Sequence, residues 1–357
     1  MSRPVFSCGI GDLSDDVLEP SPRGMSDTPL HNPHDKFFKE TFGRTTTAAE
    51  FFRTYLPPEV GSRLDWDRLE RKDGSFVDET LRERHADLLF TVPWKDREVF
   101  LYCLFEHQSN PDRWMALRLL RYMVRIWEAE LKSGTRRTVL PPILPVVLHQ
   151  GVKGWRFPRR FRSLMDLPED AGTDFEGFVP DFEFHLVDLA KWPIGKLRGD
   201  VVLRAILAAM RVVRERDWVP GLEELAPLLN GALRENDSQF VRTCLEYFMR
   251  GNEDVDLRVF RGKVKHLKIG QIKEEVMTLA DQLIREGRQE GRQEGRFEAL
   301  SEDILDILDA RFGEVPGEVR KMLKGVTDEA CLKSLLRRAA VAGSLEEFSE
   351  GFQSGSA

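Results

Sequence analysis

The pattern of apolar and polar positions divides the chain into a first part, where helices alternate with strands, and a second part with helices only. Phenylalanines at helical spacing predict two short helices, and near-continuous apolar runs bounded by turn residues predict buried strands. In chain order the predicted elements are a helix over 34–42, a helix ending at Pro57-Pro58, a short strand within 63–71, strands over 85–92 and 99–106, a helix over 111–132, and strands over 143–151 and 182–187. This order favours an α/β core on a mixed sheet.

The second part begins near residue 196 and continues as a succession of amphipathic helices. The residues before 34 are rich in Ser, Pro, Gly and Asp, a composition that predicts a disordered tail. The predicted division of the chain is a tail over 1–33, an α/β domain over 34–195, a helical extension over 196–270 and a helical region over 271–357.

The last of these regions contains the one internal repeat, in which Glu-Gly-Arg recurs every four residues between 286 and 296. Gly287, Gly291 and Gly295 would form a slowly winding bare stripe on a helix, and each costs about 1 kcal/mol of helix stability relative to Ala. Two interpretations stay open. One is a close helix–helix contact along the stripe in a homo-oligomer, and the other is a flexible, solvated linker.

The composition predicts a cytoplasmic protein with no membrane contact. No apolar run approaches the roughly 20 residues needed to cross a bilayer, and the N-terminal stretch lacks the apolar segment of a secretory signal. A zinc site or a disulfide framework is not expected, because the cysteines are far apart and form no CxxC pair. They are Cys8, Cys103, Cys244 and Cys331.

The charge distribution points to a nucleic-acid partner although the whole chain carries −7. Residues 113–162 contain twelve Lys or Arg side chains and only two Glu, a local charge of +10. A local basic patch matters more for a phosphate backbone than the global charge. Arg118, Arg121 and Arg125 recur on one helix face and are the predicted DNA contacts. The alternative is an ordinary solvated face.

The candidate chemistry lies where the two strands of the predicted hairpin meet. Asp87 is near the start of one strand and Glu106 ends the next, so an antiparallel hairpin brings them together. Gln108 shares the face of Glu106, because residues i and i+2 of a strand point the same way. Two adjacent carboxylates repel unless a cation lies between them, and oxygen ligands suit Mg²⁺, with Mn²⁺ or Ca²⁺ as substitutes. Gln108 is expected to orient water or the phosphate.

The spacing from Asp87 to Glu106 and Gln108, framed by HDKFFKETF before it and PDRWMALRLLRYMVRIW after it, resembles the recombination-promoting nuclease (Rpn) family. That family was long labelled a transposase family and belongs to the PD-(D/E)XK nuclease superfamily. The resemblance implies a helix-strand-strand-strand-helix-strand core and Mg²⁺-dependent cleavage of DNA. It implies that Asp87 and Glu106 are metal ligands, that Gln108 stands where the superfamily usually has lysine, and that Glu40 on the first helix adds a carboxylate.

The chain departs from the family at the end of the strand before Gly151, where Leu148-His149-Gln150 replaces an expected tyrosine-bearing end. The predicted fold is thus a PD-(D/E)XK nuclease-like α/β core followed by a C-terminal helical region. The predicted function is a Mg²⁺-dependent DNA endonuclease linked to recombination or mobile elements. Two alternatives are an inactive DNA-binding accessory protein of mobile elements and an interaction protein that assembles through the glycine repeat.

Overall fold

The structure is a computed structural model that describes residues 32–72, 86–106, 111–132, 138–168, 174–175, 177–235, 237–252 and 254–353. The side chains of residues 86, 104–106 and 350–353 are outside that description. Residues 1–31 of the tail predicted over 1–33, and Gln108, lie outside the described residues as well, whereas Asn32 and Pro33 cap and begin the first helix.

A five-stranded mixed sheet forms the centre of the first part. Its strands are β1 (Glu70–Lys72), β2 (Ala86–Trp94), β3 (Arg97–Glu106), β4 (Ile143–His149) and β5 (His185–Asp188). They lie side by side in chain order; β1, β2 and β3 pair antiparallel, whereas β4 and β5 are parallel to β3. The β2–β3 hairpin closes through Lys95 and Asp96, and Lys95 has a positive φ of 56°. Both hairpin strands are therefore longer, and their turn tighter, than predicted.

Helices cover both faces of this sheet. The helices before β4 are α1 (Pro33–Phe42), α2 (Thr45–Tyr55), α3 (Pro58–Gly61) and α4 (Met115–Lys132). The side chain of Asn32 caps α1 by accepting from the backbone N–H of His34. The aromatic residues of α1 and α2 are buried against one face of the sheet, as Phe52 and Phe90 show with ring centroids 5.6 Å apart.

The opposite face of the sheet is covered by α4. Leu89, Phe100 and Tyr102 of the sheet pack there with residues of α4 such as Leu119 and Tyr122. The helix begins four residues later than predicted, at Met115, because the Asp112 carboxylate accepts from Trp114 N–H at 2.7 Å before the first turn. Between β3 and β4, α4 is the crossover that parallel pairing of neighbouring strands requires.

The second part of the chain is entirely helical in its described residues. Its helices are α5 (Val201–Val212), α6 (Trp218–Arg234), α7 (Ser238–Gly251), α8 (Leu257–Val264), α9 (Ile272–Phe312), α10 (Gly317–Lys324), α11 (Glu329–Val341) and α12 (Leu345–Gln353). Helices α5 to α8 and the start of α9 share one continuous hydrophobic core with α1, α2 and the sheet. The boundary predicted at residue 196 therefore crosses a common core.

Helix α9 is 41 residues long and contains the whole glycine repeat. Its first turns are buried in the main core through Val276, Leu279 and Leu283, and its last turns, through Ile304 and Leu308, belong to a separate core with α10 to α12. The repeat between them is exposed, and a Cβ at any of its three glycines would meet nothing within 4 Å. The repeat is thus solvated but helical, so the prediction of a flexible linker is wrong in its secondary structure.

The predicted fold class is confirmed: a mixed α/β core precedes a C-terminal helical region. Within the described part of the chain, no helix has both the length and the apolar composition that crossing a membrane requires.

Candidate active site

The register of the sheet brings polar residues together at one edge, the one formed by the start of β2 and the ends of β3, β4 and β5. Strand β2 starts at the edge where β3, β4 and β5 end, because β2 runs opposite to the other three. Asp87 pairs with Leu104, Glu106 with His149, and His149 with Asp188. We call Asp87, Glu106, His149 and Asp188 the strand-end row.

All four positions of the strand-end row belong to the sheet face that α4 covers. Directly paired residues share a face, and so do residues two apart on one strand. Tyr102, Leu104 and Glu106 are one such alternating set, and Tyr102 packs on the α4 side. Val147, two residues before His149, packs there too. The sequence predicted that Asp87 and Glu106 lie close. In the register, Asp87 pairs with Leu104, two residues before Glu106, and His149 and Asp188 continue the row from Glu106.

Asp87 is half-buried, and its environment compensates only part of its charge. The Tyr102 hydroxyl donates to Asp87 Oδ2 at 2.9 Å. Burial raises the pKa of Asp87, and the hydrogen bond from Tyr102, followed by the charges of Lys39 and Arg118, opposes that rise without cancelling it. The ionised carboxylate is therefore less favourable here than in water, and a cation beside it would stabilise it.

Tyr122 on α4 lies next to this carboxylate. Its ring centroid is 5.3 Å from that of Tyr102, and its hydroxyl is buried with no hydrogen-bond partner among the described residues. Burial raises the pKa of Tyr122, while the charges of Arg118, Arg121 and Arg125 lower it. The three predicted DNA contacts therefore lie around one tyrosine beside Asp87.

These arginines differ in their own contacts. Arg118 is half-buried and forms an ion pair with Asp112 at 3.2 Å, whereas Arg121 is exposed. Farther along the basic segment, Arg159 pairs with Glu183 and Arg160 with Asp181, each at 2.6 Å. Part of the local positive charge, including that of Arg118, is thus neutralised within the chain.

His149 is fully buried and forms a pair with Asp188 at the end of the neighbouring strand. Its Nδ1 is 3.0 Å from Asp188 Oδ1, and Asp188 Oδ2 accepts from Trp155 N–H at 2.8 Å. Burial alone would raise the pKa of Asp188, but these two hydrogen bonds outweigh burial and lower it. His149 Nε2 is buried without a partner among the described residues, an arrangement that costs about 1–3 kcal/mol unless something else binds it.

The structure describes the other predicted site residues only in part. The backbone of Glu106 is described and its side chain is not, and Gln108 lies outside the described residues. Glu40 is exposed on α1 with its Oε1 3.4 Å from the Thr243 hydroxyl of α7. The residue of α1 whose charge acts on Asp87 is its neighbour Lys39. The roles of Glu40 and Gln108 stay predictions.

Sequence reasoning missed three polar residues of this edge. Tyr102 could have been predicted from the alternation of side chains along a strand, because it is four residues before Glu106 and therefore on the same face. Asp188 follows the predicted strand over 182–187 directly, as a polar residue at a strand end. Tyr122 lies among the buried residues of α4, and only the packing shows that its hydroxyl lies near Asp87.

The donor set of this edge fits a divalent cation. Asp87 is a half-buried carboxylate with a raised pKa, and Glu106 lies on the next strand two residues beyond Leu104, the partner of Asp87. Among the described side chains, no three His, Cys, Asp or Glu residues form a ready-made metal cluster. Any cation site at this edge therefore needs Glu106, whose side chain is outside the described part.

The part of the chain that matches a known family includes the α/β core. A family model described as a putative transposase, YhgA-like, matches residues 32–240, which is more than half of the chain. The chain belongs to this family. The match includes the whole sheet, α4 and the entire strand-end row. No solved structure matches the chain.

Curated relatives cover most of the chain at modest identity. The recombination-promoting nuclease RpnD of Escherichia coli O157:H7 is 28% identical over 72% of this chain and 96% of the relative. The recombination-promoting nuclease RpnA of Escherichia coli K12 is 27% identical over 74% of this chain and 88% of the relative. The inactive recombination-promoting nuclease-like protein RpnE of the same strain is 26% identical over 81% of this chain and 93% of the relative. The chain is thus similar to proteins named as nucleases and to one named as inactive.

Proposed function

We propose that this protein is a metal-dependent DNA endonuclease of the PD-(D/E)XK type that acts in recombination or on mobile elements. What supports the proposal is that Asp87 and Glu106 occupy one end and one face of neighbouring strands, two register positions apart, with an arginine-bearing helix covering the same face. The names of the relatives support the reaction class.

Asp87 and Glu106 would hold the cation, with Mg²⁺ as the first choice. When bound, a divalent cation stabilises negative charge on a phosphate and favours deprotonation of a water molecule. Tyr102 donates to Asp87 Oδ2 and so fixes the orientation of the carboxylate. Gln108, two residues past Glu106, keeps its predicted role of orienting water or phosphate.

The arginines of α4 would supply the positive charge that Gln108 lacks. Arg118 already acts on the charge of Asp87 from α4, and its guanidinium can stabilise a phosphate as a lysine would. Exposed Arg121 and its neighbour Arg125 extend this charge along the helix and would contact the DNA backbone. Such contacts bind DNA without reading its sequence.

A second candidate is a DNA-binding accessory protein without cleavage activity. The similarity to RpnE, whose name describes an inactive protein, favours it, and so does the neutral Gln108 at a position where lysine is expected. This candidate predicts DNA binding through the same α4 face and no cleavage with any metal.

Incubation of supercoiled plasmid with the full-length protein separates the two candidates. The arms are Mg²⁺, Mn²⁺, Ca²⁺ and EDTA, each with wild type, Asp87→Ala and the control Glu98→Ala. Glu98 lies at the other end of β3, where it pairs with Pro93 and contacts Lys72 Nζ at 3.8 Å. The control thus removes a carboxylate from β3, the strand that carries Glu106, at the end far from the candidate site.

The nuclease proposal expects nicking with Mg²⁺ or Mn²⁺ that EDTA stops, that Glu98→Ala retains and that Asp87→Ala loses. Retained DNA binding with no nicking in any metal would replace it with the accessory function. Equal nicking by Asp87→Ala and wild type would place the active site elsewhere.

A further inference from the structure

Trp114 is an exposed tryptophan directly before α4, outside the hydrophobic cores of the protein. The residue is 46% exposed, and it packs into none of the three cores formed by the described residues. Its backbone is fixed on both sides. Trp114 N–H donates to Asp112 Oδ1 at 2.7 Å, and Trp114 C=O accepts from Arg118 N–H at 3.0 Å, the i to i+4 bond of a helix. The large ring is therefore held at the surface on a rigid backbone.

Trp114 lies at the same end of the sheet as the strand-end row. Near the other end of α4, the Trp127 indole donates to the backbone just before β4 begins, so the start of α4 is at the end where β3 and β4 finish. Arg118 connects the two places. It pairs with Asp112, which also holds Trp114 N–H, and its charge acts on Asp87. Trp114 is thus one helical turn from an arginine near the candidate catalytic carboxylate.

Trp114 also heads the face of α4 that carries the arginines. Arg118, Arg121 and Arg125 follow it at i+4, i+7 and i+11, spacings that return to one side of an α-helix. Arg113 lies over one face of the ring, with its Cζ 5.8 Å from the ring centroid. Among the described residues, no second ring or cation contacts Trp114. An aromatic face is thus presented at the head of a line of arginines.

This combination of groups fits a strand of DNA whose bases are not all paired. Basic side chains follow the phosphates of such a strand, and an exposed aromatic ring stacks on a base. In a closed duplex both faces of a base are covered by its neighbours, so stacking requires a base that has left the helix. A protein partner would also cover an exposed tryptophan, but the arginines on the same helix face favour a polyanion.

We propose that Trp114 stacks on an unpaired base of the bound DNA, so that the protein binds DNA with unpaired bases in preference to closed duplex. The inference rests on the proposed DNA-binding function and deepens it by naming the class of substrate. The arginines of α4 then hold phosphates of the same strand, and the stacked base fixes the position of that strand at the end of the sheet that carries Asp87.

The test is equilibrium binding of the full-length protein to two labelled oligonucleotides in EDTA, which prevents metal-dependent cleavage. One is a closed duplex, and the other is the same duplex with a short central bubble of mismatched bases. Wild type should bind the bubble more tightly. Trp114→Leu keeps apolar bulk and removes the aromatic face, so its affinity for the bubble should fall about 5- to 150-fold, as expected for the loss of one stacked base. Its affinity for the duplex should stay at the wild-type value.

Trp114→Phe separates stacking from a change in folding. Phenylalanine keeps an aromatic face, so most of the preference for the bubble should remain. The quenching of tryptophan fluorescence on binding of the bubble should be smaller than in wild type, because the ring beside the base is no longer a tryptophan. A merely structural role of Trp114 would not change this signal.

Trp94→Leu is the matched control. Trp94 also has an arginine over its ring, with Arg63 Cζ 5.7 Å from the centroid, but it lies at the hairpin end of β2, far from the strand-end row. The control should keep the wild-type affinity for both DNAs. The unfolding midpoint of each variant is measured alongside.

Equal losses of affinity for bubble and duplex in Trp114→Leu would overturn the stacking role. Wild-type affinity for both would overturn it too and would leave a protein partner as the occupant of this surface.

Arg121→Ala tells failure of this inference from failure of the proposed function. If Arg121→Ala weakens binding to both DNAs while Trp114→Leu binds both as wild type does, the DNA interface on α4 stands and Trp114 is not part of it. If wild type binds neither DNA, the proposed function itself is wrong, and the role of Trp114 falls with it.

Discussion

The two faces of the sheet differ in how far their apolar packing extends. The face toward α1 and α2 is apolar through the middle of β2, β3 and β4 and continues into the helices of the second part as one core. The face toward α4 is apolar only in its middle, and at one edge it carries the strand-end row. Tyr122 Oη and His149 Nε2 are buried near this edge without hydrogen-bond partners among the described residues. The first face thus contributes chiefly to stability, whereas the second ends in polar groups that could bind a ligand.

Truncation of the apolar face should have the largest effect on stability. Phe90 is buried there against Phe52, so Phe90→Ala should lower the free energy of unfolding by about 3–5 kcal/mol. Denaturant unfolding measures this loss. Nicking per folded molecule should stay at the wild-type value, and a specific loss of activity at full folding would show that the two faces are not separate in function.

Removal of the Tyr102 hydroxyl tests the other face. The hydrogen bond from Tyr102 lowers the pKa of Asp87, so Tyr102→Phe should raise that pKa further and increase the protonated fraction of Asp87 at a given pH. Nicking should therefore fall more at acidic pH than at alkaline pH. A hydrogen bond to a charged group contributes about 1.5–3 kcal/mol, which corresponds to roughly a tenfold to hundredfold effect on the acidic side.

A pH–rate profile of the two proteins decides this prediction. An acidic limb displaced to higher pH in Tyr102→Phe supports the contact with Asp87. Profiles that coincide would mean that the tyrosine only fills space.

Neutralisation of the exposed arginine on α4 should have a smaller effect. Arg121→Ala is expected to weaken DNA binding several-fold and to reduce the slope of log affinity against log salt by about 1. Fluorescence anisotropy at several salt concentrations measures both. Lys321→Ala, an exposed charge on α10, is the control and should keep the wild-type slope; equal slopes for both variants would remove α4 from the DNA interface.

The smallest expected change is in the glycine repeat. Gly291→Ala meets no atom within 4 Å in this chain and should stabilise helix α9 by about 1 kcal/mol. Chemical denaturation measures the gain, and light scattering measures the mass. A stabilised variant of unchanged mass means a solvated stripe, and a fall in mass supports the predicted homo-oligomer.

The carboxylate pair was predictable because it depends on local pattern. Two apolar runs joined by a short polar connection specify a hairpin, and the hairpin alone places Asp87 beside the end of β3. The neighbours of that pair depend on distant chain segments. His149 reaches Glu106 only through the parallel pairing of β3 with β4, which the crossover helix α4 sets and the local sequence does not specify.

The glycine repeat is a second feature that the local sequence does not specify, because its helix depends on distant contacts. Its glycines and like charges at four-residue spacing predict a poor helix, yet the segment is helical. Helix α9 is anchored at both ends by separate cores, and ion pairs at 2.9 Å from Arg250 to Glu286 and from Arg296 to Glu329 flank the repeat. Tertiary contacts outweigh local propensity here, and they are not visible in a short window of sequence.

The central claim is that the strand-end row on the α4 face cleaves DNA through a cation at Asp87. Its most direct test is single-turnover nicking of supercoiled plasmid by wild type and Asp87→Asn at saturating Mg²⁺ or Mn²⁺. Asn has the size of Asp and removes only the charge. Because burial raises the pKa of Asp87, its contribution to stability is present at low pH and lost as pH rises through that pKa. The neutral variant should therefore unfold no earlier than wild type at pH 7.

The account predicts a fall in the nicking rate of about a thousandfold or more, equivalent to roughly 4 kcal/mol of transition-state stabilisation, in a protein that remains folded. A folded Asp87→Asn variant that nicks at the wild-type rate would contradict it.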